Sequence, residues 1–173
     1  RKGSPVENVA LSLIAETRAV DLDDITLQAT DVALKENKAY ISYNMAGDYF
    51  AGALQVVDIK KSDTPKIIAE VVFEDIDVNA VYVKGNDLYV VGAADPVSRA
   101  VSTPAVLIVM SLKQGVPERS MTIIDIPSFA GTDVLVKNTY ILATVGADDG
   151  GLVRLSTANP ESFDPIEDYY AID

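Results

Sequence analysis

The chain has 173 residues, a net charge of −12 and neither histidine nor cysteine. This acidity argues against nucleic acid or an anionic membrane surface as a partner, because their phosphates attract clusters of Lys and Arg. Without histidine or cysteine, the segment alone cannot build a Ser-His-Asp or Cys-His catalytic group, a disulfide, or a zinc site with His or Cys ligands.

The first predicted element is a strand over residues 9–16. Its sequence Leu13-Ile-Ala-Glu16 resembles Ile67-Ile-Ala-Glu70, which lies in a strand later in the chain. An acidic connection over residues 17–29 follows. We therefore expect an extra N-terminal strand that precedes the first complete unit.

Four short strands are predicted in the next stretch, residues 29–75. Each is rich in β-branched, aromatic or other apolar residues and is bounded by polar, Gly or Pro residues typical of turns. The strands are Val32–Leu34, Ala39–Tyr43, Leu54–Ile59 and Ile67–Phe73. Such a series predicts an antiparallel meander.

The meander recurs twice. Val32-Ala-Leu-Lys35 is matched 49 residues later by Val81-Tyr-Val-Lys84, and a further 53 residues later by Val134-Leu-Val-Lys137. Two sets of residues are predicted to be equivalent, the tyrosines Tyr40, Tyr89 and Tyr140 and the turn residues Asn37, Asn86 and Asn138. The third turn is predicted to be two residues shorter than the others.

A repeat of roughly 40 to 55 residues with four strands is typical of a β-propeller blade. An immunoglobulin-type sandwich is the main alternative, although it lacks this internal copying. We predict an all-β domain over 1–173, a β-propeller segment of about three four-stranded antiparallel blades with one extra N-terminal strand. The predicted blades are 29–75, 76–127 and 128–173, and the last strand is expected within 165–172.

Three blades do not close a ring, since propellers have about four to eight. We expect the chain to be part of a larger ring. The remaining blades would come from the same polypeptide or from a homo-oligomer. No stretch approaches the roughly 18 apolar residues of a membrane span, so membrane insertion by this segment is not expected.

Three stretches, Ala29–Asn44, Gly52–Ile59 and Asp63–Pro65, resemble the LVIVD-repeat family of bacterial β-propellers. The second copy has Ser111 where the first has Asp58, and the third has Arg154 where the family has a valine. The resemblance covers about residues 30–156 and carries no catalytic motif. It implies a propeller fold and an exported or lipid-anchored, extracytoplasmic protein.

In a propeller, the loops between the second and third strands and the linkers between blades lie on one rim. Loop residues Tyr49 and Phe50 are candidates for an aromatic binding platform, and plugging a gap between blades is the alternative. Arg99 is the cation of the longest such loop, and Phe129 lies in the linker over residues 125–132. These four residues form the predicted binding site.

Other polar residues have two interpretations. Asp148 and Asp149 could ligate calcium through oxygen atoms, or could form a solvated turn, and calcium is the only cofactor considered. Asp75 and Asp77 could pair as a general acid and base, but nothing in the sequence raises a pKa there. The lysines that recur beside each hairpin, Lys35, Lys84 and Lys137, are interpreted as solvated turn residues.

Two functions remain open. The first is a non-catalytic binding or scaffold module that presents its rim to a protein or a glycan. The second is a fragment of a propeller enzyme, a hydrolase or lyase, with its catalytic residues in other blades. A structural role in assembly is a third possibility, because the open faces of the outer blades could themselves be binding surfaces.

Overall fold

Antiparallel β-strands dominate the fold of this chain. The computed structural model describes residues 11–47, 49–146 and 150–158, and these form thirteen strands and one short helix. Four sheets result, each made of strands that are consecutive along the chain. The prediction of an all-β chain is confirmed.

The strands follow one another in a regular order. A small hairpin comes first, formed by β1 (Asp21–Leu22) and β2 (Ile25–Thr26). The first sheet then contains β3 (Gln28–Lys35), β4 (Lys38–Asn44), β5 (Gly52–Asp58) and β6 (Lys66–Phe73).

The second sheet repeats this arrangement and adds a helix. It contains β7 (Ile76–Lys84), β8 (Asp87–Ala94), β9 (Ala105–Lys113) and β10 (Val116–Asp125), with helix α1 (Pro96–Arg99) between β8 and β9. The described part of the third sheet contains β11 (Ala130–Lys137), β12 (Tyr140–Gly146) and β13 (Gly151–Ser156). The strand predicted within 165–172 lies outside the described residues.

The predicted N-terminal strand is not observed in the described part of its range. Residues 11–16 have no strand hydrogen bonding, and Leu11, Leu13 and Ile14 are 91%, 81% and 66% exposed. A strand needs a neighbour to satisfy its backbone N–H and C=O groups, and no backbone hydrogen bond joins residues 11–16 to a described strand. The likeness to Ile67-Ile-Ala-Glu70 is therefore a likeness of sequence and not of structure.

The hairpin turns show a second difference from the sequence-based prediction. Each turn between the first two strands of a sheet has two residues, and the first of the two has a positive φ: 54° at Glu36, 58° at Gly85 and 51° at Asn138. Asn138 is thus equivalent to Glu36 and Gly85, which means that the third turn is not shortened. Glycine and asparagine tolerate this conformation better than glutamate.

The third tyrosine is displaced as a consequence. Tyr40 pairs with Ala33, and Tyr89 pairs with Tyr82, whereas Tyr140 pairs with the last residue of its neighbouring strand, directly beside the turn. Leu142 occupies the position that corresponds to Tyr40 and Tyr89. The predicted equivalence of the three tyrosines is therefore wrong for the third copy.

The three larger sheets pack face to face in chain order. One buried cluster joins the first sheet to the second, and another joins the second to the third. The first cluster includes Tyr40, Leu54 and Val56 with Val81, Val90 and Ile108. The second includes Tyr89, Val91 and Leu107 with Val134, Ile141 and Val153. The second sheet is therefore apolar on both faces, and burial of these side chains is the main stabilising contribution.

The first strand of each larger sheet, here called the lead strand, has a β-bulge at the same place. The pairing register skips Thr30 in β3, Asn79 in β7 and Thr132 in β11. Lead strand β7 contacts both other lead strands, β3 and β11. A bulge leaves one residue outside the ladder and turns its side chain out of the regular pleat.

The bulge side chains link each sheet to the next. Thr30 Oγ1 lies 2.8 Å from Val78 O, and Asn79 Nδ2 lies 2.9 Å from Gly131 O. In both cases the acceptor is the carbonyl of the residue that precedes the next bulge. The same type of hydrogen bond thus recurs at both junctions.

The recurring lysines form a second set of links. Lys84 Nζ lies 2.9 Å from Asn138 O, and Lys35 Nζ donates to Gly85 O. Each acceptor is the first turn residue of the next sheet. The interpretation of Lys35 and Lys84 as merely solvated is therefore wrong, because each bridges two sheets at their hairpin turns.

Replacement of Asn79 by alanine tests the importance of the bulge. The variant loses the hydrogen bond to Gly131 O and a second one of 2.9 Å from Asn44 Nδ2. We expect a loss of about 1 to 3 kcal/mol in the free energy of unfolding, measured by urea denaturation. Ser62→Ala, in an exposed turn, is the control and should change it by less than about 0.5 kcal/mol. Equal effects of the two variants would show that the bulge bond contributes nothing.

Candidate functional site

The loops of the three sheets divide between two opposite ends of the strands. One end, here called the linker end, carries loops 45–51 and 95–104 and the linkers over 74–75 and 126–129. The other end carries the two-residue hairpin turns. All four residues of the predicted binding site, Tyr49, Phe50, Arg99 and Phe129, lie at the linker end.

Two of the predicted residues contact each other. The ring centroids of Phe50 and Phe129 are 6.2 Å apart, with an angle of 42° between the ring planes. Phe50 follows β4 of the first sheet, whereas Phe129 leads into the third sheet, so the pair joins two sheets that are not neighbours in sequence. Tyr49, beside Phe50, is 78% exposed. The linker end therefore presents an accessible aromatic group.

Asp77 of β7 supports the loop that carries these aromatic residues. Its Oδ1 accepts a hydrogen bond of 3.1 Å from Ala51 N, and Met45 N donates to Ala51 O at 2.8 Å across the base of the loop. Burial raises the pKa of Asp77 above its ordinary value, and the backbone N–H groups of Ala51 and Met45 lower it to a smaller extent. The close approach requires Gly52, since a Cβ atom there would lie 2.7 Å from Ile76 O. A side chain of the second sheet thus holds this loop of the first sheet by the loop's backbone.

Arg99 is not a free cation. Its guanidinium lies 2.6 Å from Asp75 Oδ1 in the linker between the first and second sheets. Its Nε atom is buried and lacks a hydrogen-bond partner within the described part of the chain. Arg99 lies at the linker end, in the segment between β8 and β9. The sequence analysis did not anticipate its pairing with Asp75, which leaves the residue less able to bind a ligand.

The loop that contains Arg99 is anchored to both linkers. Asp95 caps α1 by accepting from Val97 N at 2.9 Å and from Ser98 Oγ at 3.0 Å, and these hydrogen bonds lower its pKa. Its backbone N donates to Asp75 O at 2.9 Å. On the other side, Thr103 Oγ1 donates to Ile126 O at 2.8 Å. An Asp followed by Pro is a recognised start of a helix, and this signal was present in the sequence.

Ser102 and Asp125 form another contact that the sequence analysis missed. Asp125 accepts from both the backbone N and the Oγ of Ser102, and these bonds lower the pKa of its carboxyl group. A carboxylate with a lowered pKa is a weaker base than an ordinary one. This pair therefore fits a role in closing the loop better than a role as nucleophile and base.

The other predicted polar sites have different outcomes. The carboxylate of Asp75 pairs with Arg99, and that of Asp77 accepts from Ala51 N, so each has a structural partner other than the second carboxylate. Asp148 and Asp149, the calcium candidates, lie outside the described residues. Within the described ranges, no group of three or more acidic, His or Cys side chains is placed to hold a metal ion.

A groove runs between the three lead strands. It has a volume of about 370 Å³ and is lined by residues 31–34 of β3, 81–83 of β7 and 133–135 of β11. Within the lining, Asp31 Oδ2 accepts from Val81 N at 3.0 Å. The three lead strands therefore face one common space.

No protein-family model matches this chain, and no curated protein is similar to it at a significant level. The resemblance to LVIVD-repeat proteins thus remains a prediction. The part of the chain that the structure describes has no helix with the length and apolar character needed to cross a membrane.

Asp77 makes the stability of the fold dependent on pH. Because its pKa is raised in the folded state, the folded protein binds a proton there more readily than the unfolded chain does. The stabilising contribution is complete below the unfolded pKa and is lost as pH rises through the folded pKa. We expect Asp77→Asn, which keeps an oxygen acceptor, to remove this part of the pH dependence.

The measurement is urea denaturation of wild type and Asp77→Asn between about pH 3 and pH 7. The stability of wild type relative to the variant should fall as pH increases. Asp63→Asn, in an exposed turn, is the control and should follow wild type. A constant difference between wild type and Asp77→Asn across the range would refute the assignment.

The aromatic pair should have a measurable coupling energy. In a double-mutant cycle with Phe50→Leu and Phe129→Leu, we expect about 0.5 to 1.5 kcal/mol of coupling in the free energy of unfolding. A cycle that combines Phe50→Leu with Ile68→Ala, in β6, is the control and should show coupling near zero. Additive effects of the two phenylalanine substitutions would mean that the ring contact does not contribute.

Proposed function

We propose that this chain is a segment of a β-propeller that acts as a non-catalytic binding module. In this proposal each larger sheet is a blade, the lead strands line the central axis and the linker end is the binding rim. The packing of consecutive sheets and the groove shared by β3, β7 and β11 support this arrangement.

The observation that carries the binding proposal is the contact between Phe50 and Phe129 beside the exposed Tyr49. Loops from two different sheets converge there on one aromatic surface. Aromatic rings bury a large apolar area at a low entropic cost and are enriched in binding interfaces. A protein or a glycan is the proposed partner, and the net charge of −12 favours one that is neutral or basic.

The polar contacts at the linker end favour binding over catalysis. Asp75, Asp77 and Asp125 each hold a loop or a linker through a hydrogen bond or an ion pair. Such groups form a rigid support for the aromatic surface. An extracytoplasmic location, as in bacterial surface proteins, is also proposed, and it rests on the resemblance to LVIVD-repeat proteins. Protection of the protein from protease added to intact cells would argue against display on the cell surface.

The binding proposal is tested by screening the purified chain against an immobilised glycan panel and a phage-displayed peptide library. The affinity of the best binder is then measured by calorimetry. Tyr49→Ala, and the double variant Phe50→Ala with Phe129→Ala, should each weaken binding by about tenfold or more. Lys61→Ala, at the opposite end of the sheets, is the control and should leave the affinity unchanged.

Two results would contradict this proposal. One is the absence of a specific binder in both libraries. The other is a binder whose affinity is reduced by Lys61→Ala but not by the aromatic variants. A binder from only one of the libraries would decide between a glycan and a protein partner.

A further inference from the structure

Positive charge is concentrated at the end of the sheets that carries the hairpin turns, here called the turn end. It comprises the turns, the loop between β5 and β6 and the strand residues beside them: 35–38, 58–66, 84–87, 113–116 and 137–140. Eight of the nine lysines of the sequence fall in these ranges, together with four acidic residues. In the described loops and linkers of the linker end, Arg99 is the only basic residue. The net charge of −12 is therefore unevenly distributed, and the turn end is cationic.

The charges of these lysines are not neutralised by neighbouring carboxylates. Both ion pairs within the described ranges, Arg18 with Glu70 and Arg99 with Asp75, use arginine. Three of the eight lysines are half-buried and five are exposed. The half-buried ones are Lys35, Lys38 and Lys84, and the exposed ones are Lys60, Lys61, Lys66, Lys113 and Lys137. The turn end can therefore attract an anionic ligand.

The two ends of the sheets are far enough apart for their charges to act separately. Strands β4 and β5 have seven residues each, and such a strand spans roughly 20 Å. The Debye length at physiological ionic strength is about 8 Å. The acidic residues at the linker end therefore do not cancel the field at the turn end.

The first sheet ends in a row of charged side chains. Lys35 of β3 lies directly opposite Lys38 of β4, and Lys38 lies opposite Asp58 of β5. Asp58 in turn lies opposite Lys66 of β6, and its Oδ1 accepts from Lys60 N at 2.9 Å. Opposite residues have Cβ atoms about 4.5 to 5.5 Å apart, and like charges in such positions are destabilising. A bound anion would relieve the repulsion within this row.

A cleft lies beside the row, where the first sheet meets the second. It has a volume of about 290 Å³, and its lining includes Lys35 and Lys38 of the first sheet and Asn86 and Gln114 of the second. Glu36 is the one carboxylate among its described lining residues. The carboxamides of Asn86 and Gln114 both donate and accept hydrogen bonds, as the hydroxyl groups of a sugar do. The cleft thus combines cations with groups that match a polyhydroxy ligand.

Tyr40 and Gly115 shape this cleft. Tyr40 Oη donates to Gly115 O at 3.0 Å, which joins the first sheet to the last turn of the second. Gly115 has a φ of 77°, and a Cβ atom there would lie 2.8 Å from Lys38 Cε. Glycine at this position therefore leaves room for the Lys38 side chain.

A second cavity continues along the turn end of the first sheet. It has a volume of about 410 Å³ and is lined by Asp58, Lys60, Lys61, Thr64 and Lys66. Because Asp58 lies opposite Lys38, the second cavity and the cleft are neighbours. Two adjacent cavities lined by lysine fit a chain of repeated anionic units better than a single small anion.

We propose that the turn end of the first sheet, with the adjoining cleft, binds an anionic polysaccharide. Its sulfate or carboxylate groups contact the lysines of the two cavities, and its hydroxyl groups form hydrogen bonds with Asn86 and Gln114. A single-stranded nucleic acid fits less well, because base stacking needs exposed aromatic side chains. The exposed aromatic residues of the described chain, Tyr49 and Phe129, lie at the linker end. This proposal is independent of ligand binding at that end.

The first test measures the affinity of the purified chain for immobilised dextran sulfate and alginate by surface plasmon resonance. Neutral dextran is the reference. We expect at least one of the anionic polysaccharides to bind, with an affinity that falls as salt is added, because salt screens the lysine charges. Absence of binding to both, or equal binding to neutral dextran, would overturn the proposal.

Two double variants of equal net charge identify the site. Lys38→Gln with Lys61→Gln removes one charge from each cavity and should weaken binding by about fivefold or more. Lys113→Gln with Lys137→Gln removes two charges from the turn ends of the second and third sheets, and should weaken it by less than about twofold. Circular dichroism verifies that both variants fold. Equal losses would indicate a general attraction to the turn end and would overturn the assignment to the first sheet.

Two further measurements separate this proposal from its alternatives. Mixed-sequence single-stranded DNA should bind more weakly than the polysaccharide, and tighter binding of DNA that depends on Lys38 and Lys61 would overturn the choice of a glycan. Tyr49→Ala should leave the affinity for the polysaccharide unchanged, because Tyr49 lies at the opposite end of the sheets. A loss of affinity in Tyr49→Ala would contradict the proposed site, so the proposals for the two ends can fail independently.

Discussion

The bond from a bulge side chain to the next lead strand is the constraint on which the rest of the structure depends. A bulge interrupts the ladder and would leave backbone groups without partners unless other groups replaced them. Thr30 and Asn79 use this irregularity to reach a carbonyl in the adjacent sheet. The same type of hydrogen bond thus joins the first sheet to the second and the second to the third, and it aligns their apolar faces in the same way at both junctions.

The consequences extend through the core. With the lead strands fixed, β8 and β9 lie between two other sheets and are buried on both faces. Strands of this kind contain long apolar runs, whereas β6 alternates between exposed and half-buried residues, as expected for a strand with one open face. The position of each sheet in the series is therefore visible in the pattern of its strands.

The repeat predicted the strands well because β-branched and aromatic residues recur at steps of 49 and 53 residues. The prediction from the repeat failed where similar sequences have different structures. Residues 11–16 resemble a strand in sequence but have no backbone hydrogen bonds to a described strand, and the third tyrosine, Tyr140, lies beside a turn and not at the position of Tyr40 and Tyr89. Short matches of sequence cannot distinguish these cases, because strand formation depends on pairing partners that are distant in the chain.

The sequence indicated which loops share one end of the sheets, but it did not indicate the contacts between their side chains. Its aromatic residues lie at one end of the sheets, a result of antiparallel order. The pairing of Arg99 with Asp75 and the contact between Phe50 and Phe129 depend on how separate loops fold over the sheets. The bridging lysines could have been found, since Lys35 and Lys84 recur in register, and a solvated residue has no need to do so.

The support of loop 45–51 has a consequence for the evolution of this protein. Asp77 holds the loop through the backbone N–H group of residue 51, and the N–H group of residue 45 closes the loop on the carbonyl of residue 51. Every amino acid except proline supplies such N–H groups. The side chains at positions 49 and 50 can therefore diversify without disturbing the attachment. Gly52 must be retained, because the neighbouring backbone occupies the space of any side chain there. New recognition properties could thus arise by substitution at a few positions, while the scaffold beneath stays the same.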